Sequence, residues 1–124
     1  MLNVNSAFPA DIVGLQVTGH GTDVRVVTVT GEVDALTAPE LSACLTEQLA
    51  VARLVVVDLD GVQLLASAGL RVLFEVDELA TEQGRHLRLV CNSPTVKLVV
   101  KTAGLRDHFT LVSTVADALN KEGP

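Results

Sequence analysis

The amino-acid sequence predicts a single α/β domain in which a mixed, mostly parallel β-sheet of four to five strands is covered by about four helices. Two patterns lead to this prediction. Short apolar segments with strand character alternate with segments whose apolar residues recur at helical spacing. A strand, a helix and a strand follow one another with lengths that suit a right-handed parallel crossover. The 124 residues, of which 48% are hydrophobic, suffice for one core and not for two.

The chain is expected to begin with a hairpin. Residues 1–11 show no periodicity and are interpreted as a loose segment, so that the domain spans residues 12–120 and is followed by a short tail. Alternation predicts strands at 12–18 and 24–30. The residues between them, from His20 to Asp23, have the composition of a turn.

A helix and the central strand are predicted next. Residues 37–40 (Thr-Ala-Pro-Glu) have the form of a capping box with proline in the first turn. Apolar residues at helical spacing then extend to Ala52. The run 54–59 predicts a buried strand, and Asp58 and Asp60 are interpreted as turn residues at its end.

The period changes from strand to helix at Ser67. Apolar residues then recur at helical spacing to about Gln83, and Gly84 is expected to stop this helix. Ser67 stands where an N-cap residue belongs, so its hydroxyl is predicted to accept from first-turn N–H groups. A phosphoryl group at this corner would meet unpaired N–H donors and the positive end of the helix dipole.

The last third of the chain repeats the pattern. Residues 87–91 alternate and predict a fourth strand. Ser93 and Pro94 start a third helix that Gly104 closes. A short strand at 109–112 and a final helix opening at Thr114 complete the domain, so that helices cover the sheet.

Composition excludes several classes of function. A formal charge of −6 and an aromatic share of 2%, without Trp or Tyr, argue against binding nucleic acid. The first ten residues lack the pattern of a secretion signal and no segment is apolar enough to cross a membrane, so we expect a cytoplasmic protein. Cys44 and Cys91 are expected to be buried free thiols. Neither a phosphate-binding loop, a metal-ligand pattern nor a catalytic pair is found, and we expect no cofactor, no metal and no enzymatic activity.

The segment 58–73 carries a resemblance to a known family. It resembles the signature of STAS domains, the bacterial anti-sigma factor antagonists, which typically reads Asp-Ser-Ser-Gly-Leu. Ser67 matches the first serine of that signature, Gly69 the glycine and Leu70 the leucine.

The resemblance covers nearly the whole chain after the first ten residues, with two departures in the signature. Ala66 stands in place of the aspartate and Ala68 in place of the second serine. Residues 31–34, 93–97 and 103–105 resemble further segments of the family, in the family's order.

The resemblance implies a function and a site. In the family, the first serine is phosphorylated by an anti-sigma factor that is itself a serine kinase. Ser67 is therefore the expected phosphorylation site of an anti-sigma factor antagonist, and a phosphatase is expected to remove the phosphate. The protein is expected to be a monomer or a weak homodimer. The residues expected to contact the partner are Glu32, Asp34, Ala66, Ala68, Gly69, Leu70 and Phe74.

Other interpretations remain open at this point. Ser67 can be an N-cap residue and nothing more. Leu70 and Phe74 lie on a flank of the second helix, where they form either an exposed apolar patch beside Ser67 or packing against the third helix. The two alanines also suit a degenerate STAS module that binds its partner without being phosphorylated. A scaffold or sensor domain of a larger signalling assembly and a carrier of a small ligand are the remaining alternatives.

Overall fold

The structure, a computed structural model, describes residues 13–120, in which five strands and four helices alternate. The elements are β1 (Val13–His20), β2 (Val24–Val33), α1 (Ala38–Val51), β3 (Leu54–Leu65), α2 (Ser67–Glu82), β4 (His86–Val90), α3 (Pro94–Thr102), β5 (Thr110–Val112) and α4 (Val115–Asn120). The expected loose segment at the start and the short tail at the end lie outside the described residues.

The five strands form one sheet in the order β1-β2-β3-β4-β5. The hairpin partners β1 and β2 are antiparallel, whereas β2, β3, β4 and β5 pair in parallel. Each parallel pair is joined through one helix, as the alternation of strand and helix in the sequence requires. The predicted mixed, mostly parallel α/β domain is confirmed.

The central strand β3 is buried on both faces, which explains its continuous apolar run. Val55 and Val57 belong to the larger core, which also contains the buried residues of α1, α2 and α3. Leu54 and Val56 belong to a smaller core with Ala118 of α4. Three helices therefore cover one face of the sheet, and α4 covers part of the other.

The strand β3 is longer than the predicted 54–59, because it continues to Leu65. Asp58 pairs with Thr28 and Gly61 with Thr30, so β3 has one extra residue at a first bulge. A second register shift follows between Gly31 and Glu32 of β2, where β3 again has one extra residue before it continues to Leu65. The interpretation of Asp58 and Asp60 as turn residues is therefore wrong. Asp60 instead accepts hydrogen bonds through its carboxylate from the backbone N–H (2.8 Å) and the side-chain amide (3.2 Å) of Asn92 after β4.

Helix ends agree with the predictions in part. The Ser93 hydroxyl accepts from the Val96 N–H at 3.4 Å, and Gly84 and Gly104 have the positive φ angles, 70° and 75°, that favour glycine after a helix. The capping box at Thr37 is wrong, since this side chain forms no cap hydrogen bond to α1.

Two properties of the described residues bear on function. No helix within 13–120 has the length and apolar character needed to cross a bilayer, and no group of three or more potential metal ligands comes together in the same range.

Cys91 is buried and Cys44 half-buried, both as free thiols, and burial is the main cause that raises the pKa of each.

Candidate partner-binding site around Ser67

The carboxyl ends of β2 and β3 place the start of α2 beside the loop that follows β2. Val33 pairs with Leu65, and the Ala66 N–H donates to the Val33 carbonyl oxygen at 2.8 Å. Ser67 follows immediately, so it lies next to the point where the chain leaves β2. Residues 33 and 66, which are distant in sequence, thus meet at one edge of the sheet.

Ser67 is the first residue of α2 and not its N-cap, so the predicted capping role is wrong. The N-cap is Ala66, whose backbone is extended (φ −82°, ψ 170°) and whose side chain cannot accept a hydrogen bond. The Ala66 carbonyl oxygen accepts from the N–H groups of Gly69 (3.0 Å) and Leu70 (3.1 Å). Because no side chain caps the helix, the N–H groups of Ser67 and Ala68 remain the free donors of the first turn.

The Ser67 hydroxyl is therefore exposed at a helix N-terminus that offers donors and a positive dipole end. An anion attached to this oxygen would lie close to both. With an aspartate as N-cap, the side chain would occupy a first-turn donor and add a negative charge. Ala66 does neither.

Asp34 organises the loop between β2 and α1. Its Oδ1 atom accepts from the N–H groups of Leu36 (3.0 Å) and Thr37 (3.1 Å). The Thr37 hydroxyl accepts from the Asp34 N–H at 3.0 Å and lies 3.0 Å from the Glu32 carbonyl oxygen, to which it can donate. The predicted capping box fails because this hydroxyl is turned toward the loop. Asp34 thus shapes the loop, while Glu32 is exposed and free to meet a partner.

Gly69 permits the close approach of α2 to the sheet. A Cβ atom at this position would lie 2.5 Å from Val33 Cγ1 and 2.8 Å from Leu65 Cδ1. No such contact is tolerated without a shift of the neighbours. Gly69 is buried and has a role in packing, and its contact with a partner stays a prediction.

The two apolar flank residues of α2 pack inside the protein. Leu70 is 7% exposed and belongs to the core, so of the two alternatives the packed one holds at this residue. Phe74 is half-buried against the same core, and its ring stacks on His108, with centroids 4.6 Å apart. The residue that Phe74 stacks on therefore lies in the segment after α3.

Beside the ring stack, α2 carries a half-buried acidic group. Asp77 Oδ2 lies 2.9 Å from His108 Nε2, and Glu78 Oε2 lies 3.6 Å from the same nitrogen. Burial raises the pKa of the Asp77 carboxyl above its ordinary value, the nearby His108 opposes this rise and Glu78 adds to it. The contact ties the middle of α2 to the segment that precedes β5.

Two exposed leucines at this edge were not singled out from the sequence. Leu36 in the loop is 68% exposed, and Leu64, which pairs with Glu32 across the strands, is 43% exposed. Successive residues of a strand point to opposite faces of the sheet, so the leucines at 64 and 65 cannot both face the same core. This alternation is the signal that could have identified Leu64 as exposed. The exposed and half-exposed residues at this edge form what we call the Ser67 surface: Glu32, Leu36, Leu64, Ala66, Ser67 and Ala68.

Comparison with known proteins gives a consistent result. The STAS domain model matches residues 15–118. The anti-sigma-F factor antagonist RsfB of Mycobacterium tuberculosis is 31% identical over 110 residues, 88% of each chain. The crystal structure of an anti-sigma factor antagonist from Mycobacterium paratuberculosis is also 31% identical, with a TM-score of 0.81 over 90% of this chain and 94% of that one.

A more distant structure shares the fold. The anti-sigma factor antagonist SpoIIAA in its unphosphorylated form is 16% identical, with a TM-score of 0.74 over 87% of this chain and 95% of that one. At this identity the likeness concerns the fold alone.

Proposed function

Since the chain belongs to the STAS domain family, we propose that it is an anti-sigma factor antagonist whose binding to an anti-sigma factor is abolished by phosphorylation of Ser67. The relatives at 31% identity are named as anti-sigma factor antagonists, which supports the general role. The observation that carries the switch is the exposed Ser67 hydroxyl at the uncapped N-terminus of α2.

Docking of the unphosphorylated protein would use the Ser67 surface. Leu36 and Leu64 supply apolar area that is exposed in the free protein and that a partner would remove from water. Glu32 supplies a carboxylate at the rim, where opposite charge on a partner favours association and orientation. The hydroxyl of Ser67 is small and neutral, so covering it costs much less than covering a charged group.

Phosphorylation would make the same docking unfavourable. In the transfer, Ser67 Oγ bonds to the γ-phosphorus of ATP, ADP leaves, and the hydroxyl proton passes to a base of the kinase. The product carries about −1.5 to −2 charges. The first-turn N–H groups can hold this phosphate on the free protein, but a partner that covers it would have to remove its water without offering a matching cation. The complex would separate.

The partner implied by this scheme is an anti-sigma factor of the serine-kinase type, and a phosphatase restores the hydroxyl. Release of the sigma factor would follow from competition for the anti-sigma factor. The protein itself is substrate and ligand rather than enzyme, in the cytoplasm, as a monomer or a weak homodimer.

A second candidate is a STAS module that binds its partner permanently. Ala66 and Ala68 favour it, because they replace the aspartate and the second serine that flank the first serine in the family signature. In this case the docking surface is the same, but Ser67 is never modified.

The experiment that separates the two is transfer of labelled γ-phosphate from ATP by candidate anti-sigma kinases of the same genome. Wild type, Ser67→Ala and Ser113→Ala are compared, Ser113 being another exposed serine, and complexes are followed by gel filtration. The switch predicts label on wild type and Ser113→Ala only, with loss of the complex as label accumulates. Stable complexes without label would establish the permanent module.

Two further variants sharpen the result. Ser67→Asp should bind the partner at least tenfold more weakly than Ser67→Ala, because a charge replaces a neutral group at a covered position. Ala66→Asp restores the carboxylate of the family signature and reports how that group affects the transfer rate. Undiminished binding of Ser67→Asp would contradict the proposed switch.

A further inference from the structure

A cavity of about 570 Å³ lies between α3, the segment after α3 and β5. Its apolar wall includes Val100, Phe109 and Leu111. The volume falls in the range of small-molecule sites, roughly 300–1,000 Å³. None of the residues that form the Ser67 surface lines it.

Cations are concentrated at the rim of this cavity. Lys97, Lys101 and Arg106 line it, and Asp107 is the single acidic residue among the lining residues. Within residues 13–120, none of the three cations forms an ion pair. The lining residues therefore have a net charge of two positive units, although the whole chain has a formal charge of −6. The positive potential at this rim attracts anions.

The cation of Lys97 acts on the interior of the cavity as well as on its rim. The buried Cys91 thiol lies in the wall. Burial is the main cause that raises the pKa of this thiol, the Lys97 charge lowers it, and the Asp60 carboxylate raises it. Lys101 follows one helical turn later and so lies on the same side of α3. Both ammonium groups are exposed and can turn toward a ligand.

The wall contributed by the segment after α3 is held in place without a ligand. The Leu105 N–H donates to the Val100 carbonyl oxygen at 3.1 Å, and the His108 N–H to that of Leu105 at 3.0 Å. The contact of His108 with Asp77 anchors the same segment to α2. Such pre-formed walls reduce the ordering that a ligand must impose.

We propose that this cavity binds a small organic anion, with its phosphate or carboxylate head at Lys97, Lys101 and Arg106 and its apolar body against Phe109 and Leu111. An apolar wall beside a few convergent charges is the usual composition of a small-molecule site. An anion without an apolar body would leave the wall uncovered, and a neutral molecule would leave the cations unused.

The test uses four probes of matched size or charge: hexyl phosphate, hexanoate, inorganic phosphate and hexanol. Amide chemical shifts of the ¹⁵N-labelled protein are followed during titration. Hexyl phosphate, hexanoate or both should shift the amides of Lys101, Leu111 and Val112 with saturation, and the better of the two identifies the head group. Inorganic phosphate and hexanol should bind at least tenfold more weakly, and binding should weaken as salt is added.

Charge variants locate the site. Lys97→Gln/Lys101→Gln should weaken binding about tenfold, as expected for two partly screened charge contacts. The control Arg53→Gln/Arg71→Gln removes the same charge from exposed pairs elsewhere and should leave binding unchanged. Circular dichroism melting checks that both fold.

Several results would overturn the proposal. These are equal affinity for hexanol or for inorganic phosphate, equal weakening in the control variant, shifts confined to other parts of the protein, or no saturable binding. An acidic peptide is titrated in parallel, and shifts of the cavity amides by this peptide alone would make the cavity a protein contact and also refute the proposal. The inference does not depend on the Ser67 switch, since Ser67 does not line the cavity. Ser67→Ala should therefore bind the probes like wild type.

Discussion

Replacing Gly69 by alanine is expected to destabilise the domain, although alanine is normally the better helix residue. The added Cβ would lie 2.5 Å from Val33 Cγ1 and 2.8 Å from Leu65 Cδ1. The leucine methyl can move by rotation of its side chain, whereas the β-branched valine is stiff. The strain therefore falls on Val33 or on the position of α2 itself.

The two opposing contributions can be compared. Alanine gains at most about 1 kcal/mol of helix propensity over glycine, while overpacking in a core costs about 1–3 kcal/mol. We expect a net loss of roughly 1–2 kcal/mol, with a melting temperature lower by about 4–8 °C for a domain of this size.

Urea unfolding followed by circular dichroism measures this loss, since the chain has no Trp or Tyr to report by fluorescence. Ala68→Gly, in the same turn, estimates the propensity contribution. In Val33→Ala/Gly69→Ala the new methyl occupies space that the valine leaves, so the double variant should be more stable than additivity predicts by about 1 kcal/mol. Additive effects, or a stabilised Gly69→Ala, would show that the close approach does not constrain α2.

Three further predictions concern side chains around the same helix and loop. Asp34→Ala should cost about 1–3 kcal/mol in urea unfolding, because the half-buried N–H of Thr37 and the exposed N–H of Leu36 lose their charged acceptor; an unchanged midpoint would contradict the organising role of Asp34. Phe74→Ala should cost about 1–3 kcal/mol, less than for a fully buried ring, and unchanged stability would mean that the stack on His108 is not formed in solution. The raised pKa of Asp77 means that the folded protein binds a proton there more tightly than the unfolded chain, so stability falls as pH rises from the ordinary Asp pKa through the raised value. Relative to Asp77→Asn, wild type should lose stability across that window in urea titrations at successive pH values, and a difference that is constant or grows would refute this sign.

The order and type of the elements follow from the sequence because they depend on local patterns. The run of valines in β3 indicates that this strand is buried on both faces. Gly84 and Gly104 indicate where two helices end, because the residue after a helix often has a positive φ angle that favours glycine. Strand ends are less visible. The bulge after Asp58 lets β3 continue through two aspartates and a glycine, since pairing with β2 outweighs their local preference for a turn.

The site shows the same division. The sequence by itself determined that Ser67 stands at a change from strand to helix and that Leu70 matches a family signature. Only the tertiary structure decided that Ala66 is the N-cap, that Leu70 is buried and that Leu64 is exposed. Local spacing gives the period of a segment, but the residue that starts a helix and the face that meets water depend on how α2 packs on the ends of the strands, and that packing involves contacts between distant parts of the chain.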